Sequence, residues 1–273
     1  MRTHVLGEGR PELAVVVGQH GDEPCGERAM ERLLADESLR LSGAVLFVVA
    51  NERARDAGER FVDVDLNRAY PGDPDADAHE ARLASRLLEV VDGLPVLDLH
   101  STVSTAEPFA LYQRLTPRTR RLLEWTGLDR AVDVRTEAGG LASHVDGVAV
   151  ECGRKGSEAA VDTAERVLRN VLAAAGLTAV GDGELAGERA GTVDPTVFEV
   201  FDRVDGRGYE FLGENFHEVP AGTAFARRGD EELVADEPFY PVLMSTDGYE
   251  ASVGFRARRL GPLSSLPDDD RLR

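Results

Sequence analysis

Apolar runs alternate with segments of helical periodicity through the first two thirds of the chain. Several runs are apolar at almost every position, which is typical of strands buried on both faces of a sheet. The pattern predicts strands over Leu13–Gly18, Ala44–Ala50, Leu94–Leu99 and Val148–Cys152, with shorter ones over Phe109–Tyr112 and Ala131–Val134. It predicts helices over 24–35, 77–91, 116–125 and 157–175. This alternation favours an α/β fold with a mixed, largely parallel sheet flanked by helices.

The character of the sequence changes after Gly176, where glycine and proline interrupt short apolar runs that lack helical periodicity. These runs lie at 196–201, 223–226 and 242–244. We therefore expect an α/β domain over residues 1–176, a small C-terminal all-β domain over 177–263, and a tail over 264–273.

Composition narrows the classes of function. The chain has 273 residues, 42% of them hydrophobic, so it can bury a substantial core. Its formal net charge of −19 argues against a nucleic-acid partner, which needs a basic face, and against anionic membrane surfaces. No apolar run approaches the ~20 residues of a membrane span. The N-terminus also lacks the pattern of a signal peptide, so a cytoplasmic location is expected.

Acidic residues are abundant and Lys155 is the only lysine, so arginine supplies nearly all of the positive charge. This balance indicates a halophilic, salt-adapted cytoplasm, where a highly charged surface keeps a protein in solution. A high-GC coding bias would produce the same balance. Cys25 and Cys152 are too few for a disulfide framework and are predicted to be small buried hydrophobes.

Polar side chains stand at the ends of the predicted strands. His20 and Glu23 follow the first strand and His100 ends the third, which gives the N,O,N ligand set of a catalytic zinc with one position left for water. Ligands of open α/β sheets bind at the carboxyl ends of the strands. Glu151 lies inside another apolar strand, where a carboxylate is costly to bury unless it is paired or has a function. Asp22 is a plausible N-cap of the first helix.

The segment from Arg60 to Arg68 adds two arginines and an asparagine in nine residues. Guanidinium groups bind carboxylates in bidentate geometry, and they can also polarise a carbonyl. The segment therefore predicts a binding loop for a substrate that carries a carboxylate.

Four motifs occur in order: Gly-x-His-Gly-Asp-Glu at 18–23, Arg-(x)4-Asp-Leu-Asn-Arg at 60–68, Asp-Leu-His-Ser-Thr at 98–102, and a strand glutamate shortly before Gly153. Together they resemble the succinylglutamate desuccinylase/aspartoacylase family, which belongs to the zinc carboxypeptidase-like folds. The resemblance covers about residues 13–156 and extends more loosely to the β region.

The resemblance implies a role for each matching residue. His20, Glu23 and His100 would ligate one Zn²⁺, and Glu151 would be the general base. Arg60 would polarise the scissile amide carbonyl and stabilise its oxyanion. Asn67 and Arg68 would bind a substrate carboxylate, and Tyr249 of the β region would reach the substrate. The β domain would cover the site.

The implied function is a zinc-dependent amidohydrolase that deacylates a small-molecule N-acyl amino acid, with N-succinylglutamate and N-acetylated acidic amino acids as the leading substrates. A metallocarboxypeptidase acting on peptides and a non-catalytic zinc-binding or regulatory module remain alternatives. So do structural roles: an ion pair for Glu151, pairing of Arg60 and Arg68 with Asp63 and Asp65, and packing for Tyr249. The sequence leaves the oligomeric state open.

Overall fold

Apolar strands buried on both faces build the centre of the molecule. The computed structural model describes residues 1–137, 139–178, 192–246 and 252–269. The strands of these residues are β1 Arg2–Leu6, β2 Pro11–Val17, β3 Ala44–Val49, β4 Val96–Thr102, β5 Phe109–Tyr112, β6 Arg130–Asp133, β7 Gly147–Arg154, β8 Thr196–Asp205, β9 Glu210–Phe211, β10 Ala224–Arg228, β11 Glu231–Val234, β12 Tyr240–Val242 and β13 Ser252–Pro262. The helices are α1 Cys25–Ala35, α2 Glu52–Ala57, α3 His79–Val91, α4 Pro117–Thr126 and α5 Glu158–Ala174, with short 3-10 helices at Leu66–Arg68, Leu141–Ser143 and Leu263–Ser265.

Ten of the described strands form one mixed sheet in the order β1-β3-β2-β4-β7-β5-β6-β8-β13-β12. The central strands β3, β2, β4 and β7 are mutually parallel, and so are β5, β6 and β8. The two groups meet antiparallel at β7 and β5. This confirms the predicted α/β class, with a mixed sheet flanked by helices.

Alternate residues of one strand serve two different cores. Val15 and Val17 of β2 face the core that contains residues of α1, α4 and α5, whereas Ala14 and Val16 face the core against α3. Both sets are fully buried, which explains why residues 13–17 of this strand are all apolar. The free thiols Cys25 and Cys152 lie in the first of these cores, as small hydrophobes do.

The C-terminal strands divide between two sheets. β8, β13 and β12 extend the main sheet, while β9, β10 and β11 form a separate small antiparallel sheet. A small C-terminal β region is therefore present. The domain boundary near residue 176 stays a prediction. β8, which follows this boundary in the sequence, pairs with β6, which precedes it. Among the helices that the structure describes, none is long and apolar enough to cross a membrane.

The N-terminus of α5 lies close to its predicted position, whereas the predicted cap of α1 is not observed. Ser157, at which the predicted helix over 157–175 begins, caps α5 by accepting a hydrogen bond from the backbone N–H of Ala160. The expected cap of α1 by Asp22 is wrong, since the N-cap of that helix is Pro24 and no side chain bonds there. The Asp22 carboxylate instead accepts a hydrogen bond from Lys155 Nζ at 2.5 Å.

Candidate active site

Strand β2 and strand β4 bring three metal-type ligands together. His20 and Glu23 lie on the loop after β2, and His100 lies on β4, the next strand of the sheet. Ligand atoms of these three buried residues all lie within 4.8 Å of one another. Gly21 permits this arrangement, because a Cβ there would stand 2.2 Å from the carbonyl carbon of Ala54 in α2. The tight loop therefore explains the glycine inside the first motif.

Both histidine rings are oriented in the same sense. Their Nδ1 atoms face the two carboxylate oxygens of Glu23, each at 2.9 Å. Their Nε2 atoms face carboxylates on the outer side, Asp65 at 2.9 Å from His20 and Asp98 at 2.8 Å from His100. Carboxylates behind histidines fix the tautomer and the ring orientation of metal ligands. The set of two imidazole nitrogens and one carboxylate could therefore hold a metal ion.

A second layer supports this cluster. Gln19 donates a side-chain hydrogen bond to Asp98, and the hydroxyl of Tyr70 donates to the Gln19 carbonyl oxygen at 2.8 Å. Gln19, Tyr70 and Asp98 are all buried. The imidazole of His100 is thus held by a chain of bonds that begins on a different element.

Charges in the cluster shift the protonation of its members. Burial lowers the pKa of His100, but the Asp98 and Glu23 carboxylates outweigh burial and raise that pKa well above its ordinary value. Burial likewise raises the pKa of Glu23, yet the two histidines hold it well below the ordinary value. Positive charge on the histidines therefore stabilises Glu23 as a carboxylate, and a bound cation would stabilise it in the same way.

Glu151 lies on β7 directly opposite His100 in the β-ladder. Its Oε2 atom is buried and has no hydrogen-bond partner among the described residues. Burial, and then the negative charge of Glu23, raise the pKa of this carboxyl group to about 7. A carboxylate with a pKa near neutral pH is suited to general base catalysis.

Arg60 reaches the metal-type ligands from the loop that follows α2. Its Nη1 donates to Glu23 Oε1 at 2.8 Å, and its Nη2 donates to Asp65 Oδ2 at 3.2 Å. The predicted structural pairing of Arg60 with Asp65 is thus present, but it lies inside the site. Asp63, by contrast, accepts a hydrogen bond from the backbone N–H of His79.

The next loop residues line the same cavity. Asn67 accepts a hydrogen bond from the backbone N–H of Leu141 at 3.1 Å, and Arg68 donates to the Asn67 carbonyl at 2.8 Å. The cavity measures about 230 Å³, and seven of the predicted site residues line it: His20, Glu23, Arg60, Asn67, Arg68, His100 and Glu151. Tyr249 lies outside the described residues. The structure therefore brings together every predicted site residue that it describes.

Sequence reasoning missed Glu80, on which this loop depends. The Glu80 carboxylate is fully buried and accepts hydrogen bonds from the backbone N–H groups of Val62, Asp63 and Val64 at 2.6, 3.0 and 3.2 Å. It also accepts one from the Asn51 side chain at 3.0 Å. Burial raises the pKa of Glu80, but these donors outweigh burial and lower it below its ordinary value. The signal in the sequence was a glutamate next to the apolar stripe of α3, which is also consistent with a solvent-facing position.

Comparison with known proteins agrees with this geometry. The family sequence model described as the succinylglutamate desuccinylase/aspartoacylase catalytic domain matches residues 10–172. A succinylglutamate desuccinylase of Burkholderia orbicola (strain MC0-3) is 30% identical over 256 residues, covering 81% of this chain and 72% of that protein. An N-alpha-acetyl-L-2,4-diaminobutyric acid deacetylase of Halomonas elongata is 38% identical over 131 residues, covering 43% of this chain and 37% of that protein.

Solved structures show the same fold. The crystal structure of a succinylglutamate desuccinylase/aspartoacylase from Rhodobacter sphaeroides superposes with a TM-score of 0.74 at 20% identity, covering 95% of this chain and 89% of that chain. The family match spans more than half of the sequence and includes all four motifs. The chain belongs to the succinylglutamate desuccinylase/aspartoacylase family of deacylases.

Proposed function

We propose that this protein is a zinc-dependent hydrolase that cleaves the amide bond of a small N-acyl amino acid, releasing a carboxylic acid and a free amine. The observation that carries the proposal is the grouping of His20, Glu23 and His100 within 4.8 Å. They share one cavity with Glu151, whose buried Oε2 has no hydrogen-bond partner in the described part of the chain. A site for metal binding alone needs no such carboxylate.

The metal would be held by His20, Glu23 and His100, one ion per chain. When bound, zinc supplies Lewis-acid chemistry that makes water more acidic and the scissile carbonyl more electrophilic. The outer carboxylates Asp65 and Asp98 would keep both imidazoles aligned for this role.

Side chains of the protein carry out the other steps of the proposed reaction. Glu151 takes a proton from the attacking water as its oxygen bonds to the amide carbon, and the same carboxyl group delivers the proton to the nitrogen as the carbon–nitrogen bond breaks. Arg60 donates hydrogen bonds to the carbonyl oxygen, where negative charge develops. Asn67 and Arg68 hold a substrate carboxylate and so orient the amide. A contact from Tyr249 stays a prediction.

The identity of the amino acid is the finer part of the proposal. One relative is named for succinylglutamate and another for an acetylated diamino acid, so likeness alone leaves both acidic and basic substrates open. The cavity of about 230 Å³ favours a small molecule over a peptide. Hydrolysis of short peptides in preference to N-acyl amino acids would instead support a metallocarboxypeptidase.

The test combines metal content with turnover in wild type and Glu151→Gln, assayed at low and high salt because the chain is so acidic. We expect one zinc per chain in both proteins, and a kcat about 10²–10⁴-fold lower in the variant. Zinc in both proteins without turnover on a broad acyl panel would support a non-catalytic zinc-binding module. Failure to bind zinc would overturn the proposal.

A further inference from the structure

The charged side chains of the cavity set the charge of the ligand that it can hold. Three basic side chains line it, Arg60, Arg68 and Lys155, together with four acidic ones, Glu23, Asp98, Glu137 and Glu151. The formal charges of these seven side chains sum to −1, and Asp22 and Asp65, which pair with Lys155 and Arg60, bring the sum to −3. A divalent cation would reduce this to −1. Each carboxylate on a ligand would add negative charge to this region, inside a chain whose net charge is already −19.

Two of the three basic side chains are already paired with carboxylates. Arg60 donates to Glu23 and Asp65 at 2.8 and 3.2 Å, and Lys155 Nζ lies 2.5 Å from Asp22 Oδ2. Arg68 donates to the backbone carbonyl of Asn67 and, within the described ranges, forms no ion pair. The cavity therefore offers one guanidinium for one substrate carboxylate.

Four residues of one hydrophobic cluster also line the cavity: Leu111, Val134, Leu243 and Phe255, which we call the apolar wall. Leu111 and Phe255 lie on β5 and β13, and Val134 and Leu243 directly follow β6 and β12. These four strands lie beyond β7 in the sheet order, whereas the metal-type ligands come from β4 and the loop after β2. Arg135 follows this wall directly in sequence, but it is paired with Asp133 and lies 3.7 Å from Asp269. Arg135 is not among the residues that line the cavity.

Glu137 lines the cavity and is joined through its backbone to Val134 of the apolar wall. Its backbone N–H donates to the Val134 carbonyl at 2.8 Å, and its own carbonyl accepts a hydrogen bond from the Gln113 side chain. The backbone at this position is thus fixed. The Glu137 carboxylate itself has no hydrogen bond or ion pair with any other residue that the structure describes. A carboxylate in that state repels a ligand carboxylate and attracts an ammonium group, and both effects strengthen in a partly dehydrated cavity.

We propose that the substrate carries one carboxylate, bound by Arg68, and that Glu137 selects against a second carboxylate and in favour of an uncharged or cationic group. This inference rests on the proposed deacylase function. It names the substrates as N-acyl derivatives of neutral or basic amino acids, with an uncharged acyl group. N-succinylglutamate, which carries three carboxylates, would be a poor substrate.

The test uses three substrates of nearly equal size: the Nα-acetyl derivatives of glutamate, glutamine and ornithine. kcat/KM is measured for each with zinc-loaded wild type, Glu137→Gln and Glu137→Lys. Binding of the same compounds is measured by calorimetry with the Glu151→Gln variant, alone and combined with Glu137→Gln. The calorimetry gives the order of preference even if no compound is turned over.

We expect wild type to prefer acetylornithine over acetylglutamate by about tenfold or more, with acetylglutamine between them. Glu137→Gln should nearly abolish that ratio, and Glu137→Lys should reverse it. A wild-type preference for acetylglutamate, or a ratio that Glu137→Gln leaves unchanged, would overturn the inference while leaving the deacylase intact. Absence of turnover together with the expected binding order would count against the proposed function but not against the inference. Absence of both turnover and binding would overturn both.

Discussion

The two sides of the cavity come from different parts of the sheet. His20 and Glu23 follow β2 and His100 lies on β4, two parallel strands at the centre, and we call these three residues the polar wall. The apolar wall comes from β5 and β13 and from the residues that directly follow β6 and β12. On the polar wall all three side chains are hydrogen-bonded to neighbours, whereas next to the apolar wall only the backbone of Glu137 is hydrogen-bonded to other described residues.

This contrast separates two tasks. Reaction chemistry needs ligand atoms held within tenths of an ångström, which buried hydrogen bonds achieve. Selection among substrates needs shape and charge, which apolar side chains and one carboxylate provide. Changes on the polar wall should therefore alter metal affinity and kcat for all substrates alike. Changes near Glu137 should alter the ratio between substrates.

The largest effect on the polar wall outside its ligands is expected from Asp98→Asn. The amide cannot replace the carboxylate that orients His100, so zinc affinity should fall about 10–100-fold. Competition with a chelator measures this, and Asp92→Asn, at the exposed end of α3, serves as the matched control. The ratio of kcat/KM between acetylornithine and acetylglutamate should stay the same. A changed ratio would mean that the two walls are not independent.

Glu80→Gln should have an intermediate effect. The glutamine offers one acceptor oxygen where the carboxylate now accepts four hydrogen bonds, so at least one buried donor loses its partner. We expect about 1–3 kcal/mol less stability, together with a lower kcat because the segment that carries Arg60 loosens.

Urea unfolding and kinetics measure the two consequences of this substitution separately. Glu89→Gln, exposed on the same helix, is the control. Equal losses in the two variants would contradict a positioning role for Glu80.

A smaller effect concerns the pH dependence of the metal-free protein. The pKa of Glu151 is about 7 in the fold against an ordinary value of 4.5, so the folded chain binds this proton more tightly than the unfolded chain does. That contribution to stability is complete below pH 4.5 and is lost as pH rises through about 7.

Relative to wild type, Glu151→Gln should therefore become more stable between pH 5 and 8, by on the order of 2 kcal/mol. Urea denaturation in the presence of a chelator measures the difference. A difference that stays constant with pH would contradict the proposed environment of this carboxyl group.

Much of the fold follows from local pattern. The strand predicted over 109–112 matches β5 exactly in its bounds, and the other predicted strands and helices of the first 176 residues lie within a few residues of the observed ones. Apolar runs and helical stripes report burial directly, which is why they succeeded. Among the strands and α-helices of the first 176 residues, two escaped prediction: β1, which is mostly exposed and carries no apolar run, and α2, which is only six residues long. In the C-terminal region, β9, β11 and β13 have no counterpart among the predicted runs.

The class of fold and the residues of the candidate site can both be recognised from local sequence patterns. Buried strands must be apolar, and a His, Glu or Arg that follows such a strand stands out against them. Three features became visible only in the folded chain: β8, β12 and β13 join the main sheet, Lys155 rather than a helix terminus binds Asp22, and Glu80 holds the Arg60 loop. Strand pairing and polar partners depend on contacts between residues far apart in the chain. Local periodicity carries no information about such contacts.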